Sequence, residues 1–268
     1  MKQFRAYLPA LIASLVVIAG LTLALILLLN REEPAGQGAV AAGVAYLEKL
    51  EAKNPASVDA KLEEMRKQKL EAERDALLEQ LLGGDKDVWS MFDNYVILGD
   101  SRAVGFYYYD FLEKERVLAD GGDTIRNIEM HMEEIKALNP SYIYLCYGLN
   151  DVSIGYWDTP EEYVAEYMQI IANLKQEVPN ATVVVSSILP ARDPAFDLAS
   201  VWREIPTWSA AVEAACEENG ILFVNNDATA DEHVSLWDPD GIHVRREFYD
   251  YWARNLIIAV IEDDIYGE

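Results

Sequence analysis

Short, almost purely apolar runs recur along the C-terminal two-thirds of the chain, at Tyr95–Leu98, Val117–Ala119, Tyr142–Tyr147, Thr182–Ser186 and Ile221–Val224. Each is bounded by turn-forming residues, the pattern of a strand buried on both faces. Between them, apolar residues recur at helical spacing and predict helices near Arg102–Lys114, Ile125–Leu138, Pro160–Gln176, Val201–Glu218 and Arg245–Ile261. Thr159-Pro160-Glu161-Glu162 is a well-formed helix start, with a capping Thr, Pro in the first turn and Glu three positions after the cap. Strands alternating with helices predict an α/β domain over 88–268: a mainly parallel five-stranded sheet with helices on both faces, a three-layer αβα sandwich. Active residues in such a domain belong at the carboxyl ends of the strands.

The N-terminal pattern is different. Ala6–Leu29 carries no charged side chain, and a helix of that length spans a hydrocarbon core of ~30 Å. Lys2 and Arg5 precede it and Arg31-Glu32-Glu33 follows, so the charge bias predicts a cytoplasmic N-terminus and an extracytoplasmic remainder. Residues 1–30 therefore read as a cytoplasmic tip and a transmembrane signal anchor in the cell membrane. The competing reading is a signal peptide cleaved among the small residues around Ala35–Ala42, which would give a secreted protein. The apolar run is longer than a usual signal core, and no Cys near its end could accept a lipid. Residues 31–87 read as a stalk, with a flexible Pro34–Ala42, helix formers over Val44–Leu50 and Val58–Leu82, and a helix stop at Gly83-Gly84. Leu62, Met65, Leu70, Leu77, Leu78 and Leu81 keep no strict heptad, so self-association through the stalk is only a weak expectation.

The run Val96-Ile97-Leu98-Gly99-Asp100-Ser101 breaks off at a small turn and delivers a hydroxyl to the sheet edge. Serine alone is a weak nucleophile and needs a base that a third group orients. Asp240-Gly241-Ile242-His243 supplies a carboxylate and an imidazole within one turn of chain. Of the other two histidines, His131 falls in a helical pattern and His233 in a polar loop after Asp231-Glu232. Gly122-Asp123-Thr124 and Gly148-Leu149-Asn150-Asp151 each follow a further apolar run.

In chain order these blocks read Ser, Gly, Asn, His, and residues 92 to 262 resemble the SGNH (GDSL-like) hydrolase family. The resemblance implies a flavodoxin-like SGNH fold and a serine esterase without a cofactor. It implies Ser101 as nucleophile, His243 as general base and Asp240 as the group orienting the imidazole. The implied oxyanion hole is the backbone N–H of Ser101, the backbone N–H of Gly122 and the side-chain amide of Asn150. Residue chemistry agrees, because acyl transfer needs preorganised donors, Gly permits close approach, and an Asn amide donates without charge. Gly121 competes with Gly122, and the family's Gly-x-Ser/Thr spacing favours Gly122. Ser101 would equally cap a helix, and Asn150 and Asp151 would equally form a turn. Where the family's tetrapeptide has Leu this chain has Arg102, a departure expected to bear on substrate preference rather than on the chemistry.

Charge narrows the partners. The chain carries 46 acidic and 22 basic residues, a net charge of −24, and residues 88 onward hold 33 of the acidic and 11 of the basic ones. Such a surface repels polyanions, which excludes nucleic acid and disfavours a bare teichoic acid. It reads equally as a solvated surface with no message about substrate. Two cysteines, Cys146 in a strand pattern and Cys216 in a helical one, give no disulfide framework. No Cys/His cluster has zinc-ligand spacing, so no metal is expected.

Two loops are expected to shape the substrate site. Val152–Asp158 offers Tyr156 and Trp157, and Leu189–Trp208 offers Arg192 and Trp202, as contacts for a sugar ring; Trp in a loop also packs it down. Tyr107-Tyr108-Tyr109 reads as helix packing. The expected function is a membrane-anchored extracytoplasmic serine esterase that removes a small acyl group, acetyl foremost, from an acylated small molecule or a cell-envelope glycan. The alternatives are a lipid or thioester hydrolase or an acetyltransferase of the same family, and a catalytically silent envelope scaffold or glycan-binding module. The complete Ser, Asp, His and Asn set speaks against the last.

Overall fold

The structure is a computed structural model that describes residues 20–23, 25, 37–51 and 55–266. The chain divides into two compact units, Met1–Arg66 and Lys67–Glu268. Helix α1 (Gln37–Glu51) lies in the first, and α2 (Pro55–Gly83) begins there and ends in the second. Residues 37–42, expected to be flexible, are helical instead; Gln and Ala are strong helix formers and outweigh the single Gly38. Apart from 20–23 and 25, the apolar span Ala6–Leu29 lies outside the described residues. Among the described residues no helix is long and apolar enough to cross a membrane.

In the second unit five parallel strands form one sheet in the order β2-β1-β3-β4-β5. They are β1 (Tyr95–Gly99), β2 (Val117–Ala119), β3 (Tyr142–Cys146), β4 (Thr182–Ser186) and β5 (Leu222–Val224). Every strand pairs in parallel, with Gly99 opposite Ala119 on one side and Cys146 on the other. The strand pattern of the sequence holds to within a residue at each end.

Alternate strand residues enter two separate cores. Val96, Leu98, Ile143, Leu145, Val183 and Val185 face one layer, built on α4 (Asn127–Met130), α5 (Met132–Leu138), α7 (Pro160–Glu177) and α8 (Ile205–Asn219). Tyr95, Ile97, Tyr144, Cys146 and Val184 face the other, built on α10 (Phe248–Tyr266) and the end of α2 through Leu81. Val96, Ile97, Leu98, Ile143 and Leu145 are wholly buried, each contributing about 1.5–3 kcal/mol of apolar transfer. The second unit is thus a three-layer α/β sandwich around a parallel sheet.

The helices depart from expectation in three places. After Ser101 only α3 (Gly105–Tyr108) is helical, not Arg102–Lys114, because Asp110 takes a left-handed conformation and Leu112 N–H folds back onto Phe106 O. The expected Ile125–Leu138 helix is split at His131, whose N–H is shared by Asn127 O and Ile128 O. Residues 200–204 form a separate tight turn, and α8 starts only at Ile205-Pro206, with Pro in the first turn. By contrast α7 starts as its sequence demands, with Thr159 Oγ1 accepting the Glu162 N–H.

Candidate active site

The order reverses at β1, which lies between β2 and β3, and this is where an open parallel sheet leaves a crevice at its carboxyl edge. Ser101 follows β1, Gly122 follows β2, and Asn150 lies in α6 (Leu149–Ile154), directly after β3. His243 reaches the same edge from the turn before α10. Its Nε2 lies 3.0 Å from Ser101 Oγ, and its Nδ1 lies 2.6 Å from Asp240 Oδ2. The other Asp240 oxygen accepts the backbone N–H groups of Ile242 at 2.8 Å and His243 at 3.0 Å. Burial raises the Asp240 carboxyl, but the His243 ring and these two donors outweigh it and hold the group below the ordinary carboxylate range.

That turn is closed by Gly241, at φ +73, where an added Cβ would run into the carbonyl of Arg192. The close approach is used: Arg192 N–H donates to Gly241 O at 2.7 Å and fastens the Asp240–His243 turn to the loop after β4.

Two hydrogen bonds tie the Gly122 segment to α6. The Asn150 side-chain amide donates to Asp123 O at 2.8 Å, and the Ile125 N–H donates to Asp151 Oδ1 at 2.9 Å. Gly122 is exposed with φ +88, and neither its N–H nor that of Ser101 has a protein acceptor among the described residues. Both amides are therefore open to a ligand. Asp151 is wholly buried, its Oδ2 has no partner, and burial pushes its carboxyl up to about 7. Burial likewise raises Asp123.

The pocket that contains Ser101 and His243 has a volume of about 190 Å³. Its other walls are Val104, Gly105, Tyr108, Tyr109, Asp238, Val244 and Tyr249. None of Tyr156, Trp157, Arg192 and Trp202 lines it, and neither do Gly122 and Asn150. Trp157 is buried and donates its indole N–H to Glu166 at 2.8 Å. Trp202 donates to Leu149 O at 2.8 Å, and Arg192 is held by Asp231 at 2.7 Å over the Trp237 ring. Tyr156 is exposed but lies under the Arg126 guanidinium.

Tyr108 and Tyr109, expected as helix packing, and Asp238, for which the sequence gives no signal, line this pocket. Tyr108 is 72% exposed at the pocket, so the triple tyrosine is not simply helix packing. Arg102 is also corrected: its side chain is buried and turned away from the pocket, so it cannot select substrate by contact. Among the described residues no group of His, Cys, Asp and Glu could hold a metal ion, and Cys146 and Cys216 are free and buried.

A serine hydroxyl, an imidazole and a carboxylate hydrogen-bonded in series, beside open backbone donors at the carboxyl edge of a parallel sheet, define a serine hydrolase site. Residues 97–251 match the GDSL-like Lipase/Acylhydrolase family. The chain belongs to that family and is a serine ester hydrolase. The fold agrees with solved structures of a GDSL-like lipase from Bacteroides thetaiotaomicron and a lipase/acylhydrolase from Enterococcus faecalis. The first is 22% identical with a TM-score of 0.52, over 63% of this chain and 88% of that one. The second is 14% identical with a TM-score of 0.51, over 63% and 96%. Comparison with curated proteins gave no match.

Proposed function

We propose that the protein is a membrane-anchored, extracytoplasmic esterase that hydrolyses small acyl esters, acetyl foremost, on a cell-envelope or other glycan. His243 Nε2 takes the Ser101 proton as Oγ attacks the ester carbonyl, and Asp240 stabilises the imidazolium that forms. The oxyanion meets the N–H groups of Ser101 and Gly122 and the Asn150 amide. That amide carries two hydrogens, so it keeps Asp123 O while offering the second. The imidazolium then protonates the leaving alcohol, and water repeats the sequence on the acyl-enzyme.

The observation that carries the esterase reading is the Asp240–His243–Ser101 series of hydrogen bonds. The small-acyl reading is supported by the pocket beside Ser101 and His243, about 190 Å³ against the ~300–1,000 Å³ of sites for drug-sized ligands, which offers no long apolar channel at the nucleophile. Tyr108 and Tyr109 put aromatic surface at this pocket, which suits a sugar ring. Anchoring rests on the Ala6–Leu29 span and on the positive Lys2 and Arg5 before it.

Comparing kcat/KM over acetyl, butyryl and octanoyl esters of one alcohol tests the reading. A lipid esterase gains with each methylene, by up to about 0.8 kcal/mol. Here activity should fall beyond acetyl or propionyl, and acetylated sugars should exceed alkyl acetates by a margin that shrinks in Tyr108→Ala. A preference for octanoyl would contradict the small-acyl reading.

A further inference from the structure

Arg102 stands where the family's tetrapeptide has Leu, and its guanidinium is 2% exposed. Its Nε and Nη2 lie 3.3 and 3.2 Å from the two oxygens of Asp100, and its Nη1 donates to Leu189 O at 2.5 Å. Asp100 is wholly buried, and its carboxylate also accepts the backbone N–H groups of Arg102 at 3.0 Å and Leu149 at 3.3 Å. Arg102 adjoins Ser101 and Leu149 adjoins Asn150. One carboxylate is therefore fastened to the amides next to two of the three oxyanion donors. Leu189 opens the loop that, through Arg192, holds Gly241 between Asp240 and His243.

Such a fastening places a negative charge beside the point where catalysis develops another. Charges in a dry interior act strongly on one another, and a buried carboxylate without a partner is costly. Asp100 acts on Asp123, Cys146, Tyr147, Asp151, Tyr163 and Tyr249 from the surrounding elements. None of these is a cation; the cation bonded to the carboxylate is Arg102.

We propose that Arg102 is a positioning residue that cancels the Asp100 charge, allowing Asp100 to hold the Ser101 and Asn150 turns together without repelling the oxyanion. This rests on the serine-esterase reading but not on acyl length or on a glycan. The test is the pH dependence of 4-nitrophenyl acetate hydrolysis by the full chain, its Arg102→Met variant and the double variant Asp100→Asn/Arg102→Met.

In Arg102→Met the buried carboxyl has lost its counter-charge, which favours the protonated form at low pH; ionisation at higher pH then opposes the reaction. The expected result is a kcat that falls as pH rises from 6 to 9, reaching a loss of about 10²-fold, the scale of one oxyanion donor, with KM little changed. The double variant has no charge to cancel and should recover the wild-type profile shape, at a kcat lowered by one factor at every pH because the amide at position 100 has one acceptor oxygen for the two backbone N–H groups. A purely structural Arg102 would lower activity by one factor at every pH. An Arg102→Met profile parallel to wild type, or an effect confined to KM, overturns the proposal. If that variant does not fold, the double variant decides alone: a folded double variant whose kcat still falls as pH rises from 6 to 9 overturns it. A wild-type enzyme inert toward the probe counts against the esterase reading instead.

Discussion

His243 Nδ1 lies 2.6 Å from Asp240 Oδ2 across a turn of three residues, while the same carboxylate's other oxygen accepts the backbone N–H groups of that turn. Asp240 therefore orients the ring and builds the loop that carries it. The 3.0 Å reach from Nε2 to Ser101 Oγ spans 142 residues of sequence, and the sheet makes that approach possible by ending β1 at Gly99, two residues before Ser101.

Ser101→Ala and His243→Ala should each lower kcat for acetyl ester hydrolysis by roughly 10⁴–10⁶-fold with the fold intact, and their combination should cost little more. Asp240→Asn should be about 10–100-fold milder, because the base remains while its orientation is degraded. Steady-state kinetics beside far-UV circular dichroism check this. Near-wild-type turnover in Ser101→Ala would exclude the serine mechanism.

Asn150→Ala should cost roughly 2.7–4 kcal/mol of transition-state stabilisation, the scale for one oxyanion donor, and should act on kcat rather than KM. A rise in KM alone would leave Asn150 only its bond to Asp123 O.

Stability should depend on pH through Asp151. Its folded-state carboxyl is raised to about 7, so the unfolded chain releases that proton earlier than the folded one. The stabilisation is fully present below the ordinary value of ~4 and is lost as pH rises towards 7, on the order of 4 kcal/mol in all. Asp240 works in the opposite sense, its contribution being present above ~4 and lost only below it. Asp151→Asn keeps an acceptor for the Ile125 N–H and removes the titration. Its melting temperature should exceed that of wild type at pH 8 and converge with it near pH 4. Equal shifts at both pH values would contradict this assignment.

The strands were legible because buried parallel strands are continuous apolar runs, as Tyr142–Cys146 is. Ser101, Asp240 and His243 were legible because each sits at the end of such a run or within one short turn. The helix after Ser101 was not, since apolar spacing over 102–114 does not reveal that Asp110 turns left-handed. Side-chain direction was the other loss. Trp157 and Tyr108 are both aromatic loop or helix-end residues, and only packing decides that the first is buried against Tyr163 while the second is exposed at the pocket. Arg102 is the sharpest case, because nothing in Gly-Asp-Ser-Arg says that the guanidinium turns back onto Asp100.

The central claim, that Ser101 is the nucleophile His243 activates, is tested most directly by reaction with a fluorophosphonate followed by peptide mass spectrometry. The expected result is a single stoichiometric adduct on the peptide containing Ser101, absent in Ser101→Ala and slowed by several orders of magnitude in His243→Ala. Labelling at another serine, or undiminished labelling in His243→Ala, would contradict it.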